Sequence, residues 1–175
     1  MNYATIKWYD IANGEGVRIS LFVSGCTHRC KNCFNQVAWD FEYGNSFNSE
    51  IQEKILKELG VGYIAGLSIL GGEPFEPQNQ AALLPFVREV KRRYPDKPIW
   101  CYTGFVLDEK NGVLKEQFKN TADTKELISL IDVLVDGPYV DELRNICLKF
   151  RGSSNQRVIN VPKTLQRKEC VLYME

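Results

Sequence analysis

The chain has 175 residues, 44% of them apolar and 25% charged. That composition excludes a disordered or collagen-like chain and fits a single domain spanning 1–175. Twenty-two Lys and Arg balance twenty-two Asp and Glu, so neither a nucleic-acid partner nor a membrane span is expected: wrapping nucleic acid needs a basic excess, and no run nears eighteen apolar residues.

Met1–Thr5 has no basic segment leading into an apolar one, so no signal peptide is expected and the location reads as cytoplasmic. Val17–Val23 alternates and is rich in β-branched residues, which predicts a strand running into Ser24-Gly25-Cys26. Ser49–Leu59 is a helix with Ile51, Ile55, Leu56 and Leu59 on one face, and Ser49 with Gln52 suggests a capping box. Gly66–Leu70 is a short buried strand ending at Gly71-Gly72. A helix follows from about Gln78 to Tyr94, stopped by Pro95, with Pro85 as a candidate kink. Pro98–Tyr102 is the third strand, Thr124–Leu130 a short helix capped by Asp123 or Thr124, and Ile131–Val135 the fourth strand. Arg157–Val161 is a candidate fifth. Alternating strands and helices predict an α/β fold with a mostly parallel sheet. Four strand ends carry small or turn-forming residues: Gly25, Gly71-Gly72, Thr103-Gly104 and Asp136-Gly137-Pro138. Ligands bind at the carboxyl ends of parallel strands, so these four ends should converge on one site.

Six cysteines are present, and three of them crowd into Cys26-Thr27-His28-Arg29-Cys30-Lys31-Asn32-Cys33. Without an export signal this C-x3-C-x2-C spacing points to metal or redox chemistry rather than disulfides. A short loop with three thiolates suits a [4Fe–4S] cluster and leaves one iron without a protein ligand, open to a substrate. Competing readings are a zinc site with His28 as fourth ligand, a redox pair of thiols, or an electron carrier whose fourth ligand is Cys101, Cys147 or Cys170. Cys101 sits in an apolar run and reads as a small core residue, and Cys147 and Cys170 have no Cys or His at ligand spacing. His28, the only histidine, reads as a loop residue near the cluster.

The C-x3-C-x2-C motif after the first strand, followed by Gly71-Gly72-Glu73-Pro74 after the second, resembles the radical S-adenosylmethionine (SAM) enzymes. The resemblance narrows through Asp10–Arg18, Leu21–Cys26, Pro77–Asn79, Tyr102–Gly104, Val133–Gly137 and the tail Phe150–Arg157. It is then to the glycyl-radical activases that serve anaerobic ribonucleoside-triphosphate reductases, over roughly residues 10 to 160. The family's pattern departs here at Glu15, where proline is expected, and at Asn32, where an aromatic residue is common; Phe34 follows the third cysteine instead. The resemblance implies an incomplete β/α barrel, since 175 residues fall short of a full one. It implies a [4Fe–4S] cluster on Cys26, Cys30 and Cys33, and SAM held by Asn32, Cys33, Phe34, Gly71, Gly72, Glu73, Thr103 and Asp136. It implies an oxidoreductase that puts a glycyl radical on the reductase large subunit, drawing its electron from a low-potential donor such as flavodoxin. Arg151 and Asn155 are candidates for a segment facing the partner or covering SAM. No general base or nucleophile is expected beyond the cluster ligands.

Overall fold

The computed structural model describes all 175 residues. The alternating segment forms β2 (Val17–Val23), preceded by β1 (Asn2–Asp10) and followed by the two-residue β3 (Asn45–Ser46). Next come α1 (Ser49–Leu59), β4 (Ile64–Gly71), α2 (Pro77–Arg93) and β5 (Ile99–Tyr102). A small hairpin, β6 (Leu107–Asp108) and β7 (Val113–Leu114), leads to α3 (Thr124–Ser129) and β8 (Val133–Asp136). The chain closes with β9 (Arg157–Asn160), α4 (Val161–Arg167) and β10 (Leu172–Met174).

Eight strands make one sheet in the order β10-β9-β8-β5-β4-β2-β1-β3. The four central strands β2, β4, β5 and β8 are parallel, as the strand–helix alternation requires. The flanking strands run antiparallel, so the mostly parallel expectation holds for the centre only. β9 is one of them: it returns beside β8, with Asp136 opposite Arg157. No helix is long and apolar enough to cross a membrane.

Strand parity divides the sheet into two faces. Ile19, Leu21 and Val23 of β2, Leu67 and Ile69 of β4, Ile99 and Cys101 of β5, and Leu134 of β8 share a core with Ile55, Leu59, Leu83, Phe86 and Val87 of the helices. The alternate residues face the other way. There Trp100, Val133, Val135 and Val158 pack with Tyr102, Phe150 and Met174. At the lower end of that face the packing turns polar. Arg18, 1% exposed, donates to Ser68 Oγ and to the Leu67 and Pro98 carbonyls and lies over the Trp100 ring. Its burial lowers its pKa to about 10.

Helix ends follow local chemistry. Asn48, not Ser49, caps α1: its side chain accepts from the Ile51 N–H, and Gln52 donates to the Phe47 carbonyl. Asp123 precedes α3 but makes no side-chain cap bond. α2 runs unbroken through Pro85, which lies on its exposed side.

Candidate functional site

The four strand ends do converge. A cavity of about 690 Å³ opens at the carboxyl end of the parallel strands, walled by Cys26, Cys30, Cys33, Gly71, Gly72, Glu73, Thr103, Gly104 and Gly137. Asn32 and Phe34 also line it, though Phe34 is 86% exposed and the Asn32 amide donates to Asp141, another residue of the wall, at 2.8 Å. A segment after β8, from Tyr139 to Gln156, forms the opposite wall, including Arg151. Asn155, by contrast, donates to the Pro138 carbonyl and does not line the cavity.

The cysteine loop and the Gly71–Glu73 turn are sewn together by backbone. Gly72 N–H donates to the Val23 carbonyl at 2.7 Å, and Glu73 N–H to the Gly25 carbonyl at 2.8 Å. Gly71 sits at φ +109°, which favours glycine. A Cβ on Gly72 would stand 2.6 Å from the Gly25 carbonyl oxygen and 2.9 Å from that of Ala38. The pair of glycines thus lets two strand ends approach closely, and it leaves the Gly72 carbonyl without a hydrogen-bond donor from the chain.

Glu73 is 1% exposed and its carboxylate is fully engaged. Oε1 accepts from the Phe75 N–H at 2.9 Å and the Thr103 hydroxyl at 2.8 Å. Oε2 accepts from the Gly104 N–H and faces His28 Nε2, each at 2.8 Å. Glu73 therefore ties three strand ends together, and Thr103 supports it from the next strand. His28 is clamped between this carboxylate and the Phe105 ring, 4.2 Å away centroid to centroid. Burial lowers its pKa, but the Glu73 hydrogen bond and charge outweigh that and raise it. Its Nε2 is taken by that hydrogen bond, and the ring stands in the cavity wall.

All six cysteines are free thiols. Burial pushes the Cys26 thiol up to about 12 and raises that of Cys30, helped by the neighbouring Cys33. Such thiols ionise when a cation binds them, which couples deprotonation to metal uptake. Cys101 is 2% exposed on the helix side of the sheet, and Cys147 and Cys170 lie exposed. None of the three lines the cavity.

Asp136 is not brought to the site. It follows Leu134 in parity, so its carboxylate points to the helix side of the sheet. There it is fully buried, accepts from the Leu107 N–H at 2.8 Å and pairs with Arg157, whose pKa it raises. Its carboxylate is taken up by that ion pair and is not part of the cavity wall.

Sequence reasoning missed Tyr102, a residue of the cavity wall; its hydroxyl is buried and has no hydrogen-bond partner in the chain. Its parity with Trp100 was the available signal. It also missed the group formed by Thr27, Glu76 and Lys119.

An α/β domain with three thiols on one loop at the mouth of a parallel sheet is a scaffold for an iron–sulfur cluster, and residues 12–159 match the family described as the 4Fe-4S single cluster domain. The donor set fits that group: one thiolate per iron needs several separate sulfurs around one cavity rather than one tight single-ion site. The chain is 44% identical over 158 residues to an anaerobic ribonucleoside-triphosphate reductase-activating protein of Haemophilus influenzae, covering 89% of this chain and 96% of that one. It is 39% identical over 160 residues to the protein so named in Escherichia coli K12, with 90% and 97% covered. The counterpart in Enterobacteria phage T4 is 36% identical over 158 residues, with 90% and 93% covered. The chain belongs to this family of activating proteins.

Proposed function

We propose that this chain is a radical SAM activase. In this reading Cys26, Cys30 and Cys33 hold a [4Fe–4S] cluster, SAM binds against its open iron, and the large subunit of an anaerobic ribonucleoside-triphosphate reductase is the protein substrate. Bound and reduced, the cluster supplies the electron that cleaves a carbon–sulfur bond of SAM, giving methionine and a 5′-deoxyadenosyl radical that takes hydrogen from one glycine Cα of the reductase.

The observation that carries this reading is the donor set. Three thiols share a cavity with the Gly71–Glu73 turn, and no fourth cysteine lines it. His28, the only histidine, is held by Glu73. In this reading the three cysteines serve three irons of a cubane and leave the fourth open.

The remaining residues bind and orient. The Gly72 carbonyl, free of donors from the chain, accepts from the SAM ammonium. Glu73 does not touch that amine; it fixes the turn so that the carbonyl is preorganised. Asn32 and Phe34 stand at the rim beside Cys33, where they flank the adenosyl group and the incoming glycine loop. The Tyr139–Gln156 wall excludes water from the reacting atoms.

The test uses anaerobically reconstituted protein with the reductase large subunit, SAM and a low-potential donor such as flavodoxin. The reading expects the two proteins to co-purify and an organic-radical resonance to grow on the reductase. No complex and no radical would remove the assignment.

A further inference from the structure

Glu76 occupies the N-cap position of α2 with extended backbone, φ −61° and ψ 138°, yet its side chain caps nothing. Carboxylates in that position ordinarily accept from the first-turn N–H groups. Here the side chain turns the other way. Oε1 accepts from the Thr27 N–H at 3.0 Å and from the Thr27 hydroxyl. Oε2 meets the Lys119 ammonium at 2.6 Å. Lys119 returns to the same threonine, donating to Thr27 Oγ1 at 3.0 Å.

The Glu76 and Lys119 side chains are 3% and 12% exposed. Lys119 also lies over the rings of Phe105 and Phe118. A buried pair of this kind is weak evidence for stability, because desolvation offsets the attraction. What distinguishes it is its target. The cysteine loop, the start of α2 and the short turn Gln117–Lys119 meet at Thr27, the residue after Cys26. Thr27 directly follows Cys26, so holding its N–H and hydroxyl fixes the start of the cysteine loop.

We propose that Glu76 and Lys119 are a positioning pair that fixes the Thr27 backbone, and through it Cys26, and that their opposed charges balance each other so that neither biases the reduction potential of the cluster. The proposal rests on the assignment of that cluster to Cys26, Cys30 and Cys33. Reduction adds a negative charge to the cluster. A carboxylate in a poorly hydrated site opposes that charge and an ammonium favours it, so the intact pair nearly cancels. Hydrogen bonds to cluster sulfurs tune the same quantity. Removing either partner unbalances the potential in a direction fixed by which charge is lost.

Redox titrations of the reconstituted full-length protein, followed by electron paramagnetic resonance at pH 8, test this. Glu76→Gln keeps an oxygen acceptor for Thr27 but loses the negative charge and the acceptor facing Lys119, so the midpoint potential moves upward. Lys119→Met moves it downward. The double variant returns close to the wild-type value. Lys119→Gln, which keeps a donor toward Thr27 Oγ1, serves as a milder cation-free variant and also moves it downward. A merely structural brace would lower thermal stability or cluster yield and leave the potential in place. Single variants that share the wild-type potential, or that shift in the same direction, overturn the proposal. Wild-type protein that takes up no [4Fe–4S] cluster overturns the underlying assignment instead, before any variant is compared.

Discussion

Glu73→Gln is the sharpest perturbation of the site's framework. The carboxylate accepts four hydrogen bonds, two at each oxygen, in a position 1% exposed. An amide has one oxygen. Whichever way it is flipped, its NH₂ faces a backbone N–H, that of Phe75 or that of Gly104. One buried donor is then unpaired, at about 1–3 kcal/mol, and the bonds that remain lose the strength of an anionic acceptor. A combined loss of about 3 kcal/mol is expected. In a domain of this size each kcal/mol moves the thermal midpoint by about 2–4 °C, so the midpoint should fall by about 6–12 °C. Circular dichroism melts of wild type and variant, run anaerobically side by side, read this directly. A variant melting within about 2 °C of wild type would refute the claim that Glu73 ties the strand ends together.

Three further outcomes are expected. Cys26→Ala, Cys30→Ala and Cys33→Ala should each abolish cluster assembly, measured by iron content and visible absorbance, while the same change at Cys101, Cys147 or Cys170 should spare it; loss of the cluster in Cys147→Ala would defeat the open-iron argument. Asp136→Asn breaks a pair whose acid is fully buried and whose Arg157 side chain is 27% exposed, so it should cost about 2–4 kcal/mol in urea unfolding and leave SAM affinity unchanged. A selective loss of SAM binding would return Asp136 to the site. Asp10 gives a pH dependence. Burial alone would raise its pKa, but hydrogen bonds from Ser20, Asn13 and Ala12 and the charge of Lys7 hold it below 3.8. Its contribution is therefore complete above the unfolded value and drains away as pH falls through the lower folded one. Urea titrations from pH 6 to pH 2.5 should show the stability gap between wild type and Asp10→Asn constant above about pH 5 and shrinking below 3.8; a gap that widens on acidification would contradict this.

The central elements were legible because their periods are clean. Val17–Val23 and Ser49–Leu59 have the same bounds in sequence and structure. β1 was missed because its residues are half-buried or exposed up to Asp10, which leaves little apolar contrast to read. α4 carried a readable signal, Asn160 followed by Val161-Pro162, and Asn160 does cap it through the Lys163 N–H. Extending the preceding strand through Val161 hid that start. The cysteine loop and the Gly71–Glu73 turn were visible because their residue types are tied to their chemistry. Asp136 was misplaced because being near a strand end says nothing about which face a side chain takes; parity with Leu134 decides that. The Thr27–Glu76–Lys119 group joins residues 43 to 92 positions apart, and no local pattern announces such a contact.

The measurement closest to the central claim is the electron paramagnetic resonance spectrum of the reduced, reconstituted protein before and after SAM is added. Direct binding of SAM to an iron without a protein ligand predicts a changed cluster signal. A spectrum that stays the same at saturating SAM would mean that the iron is already filled, and the account would fail with it.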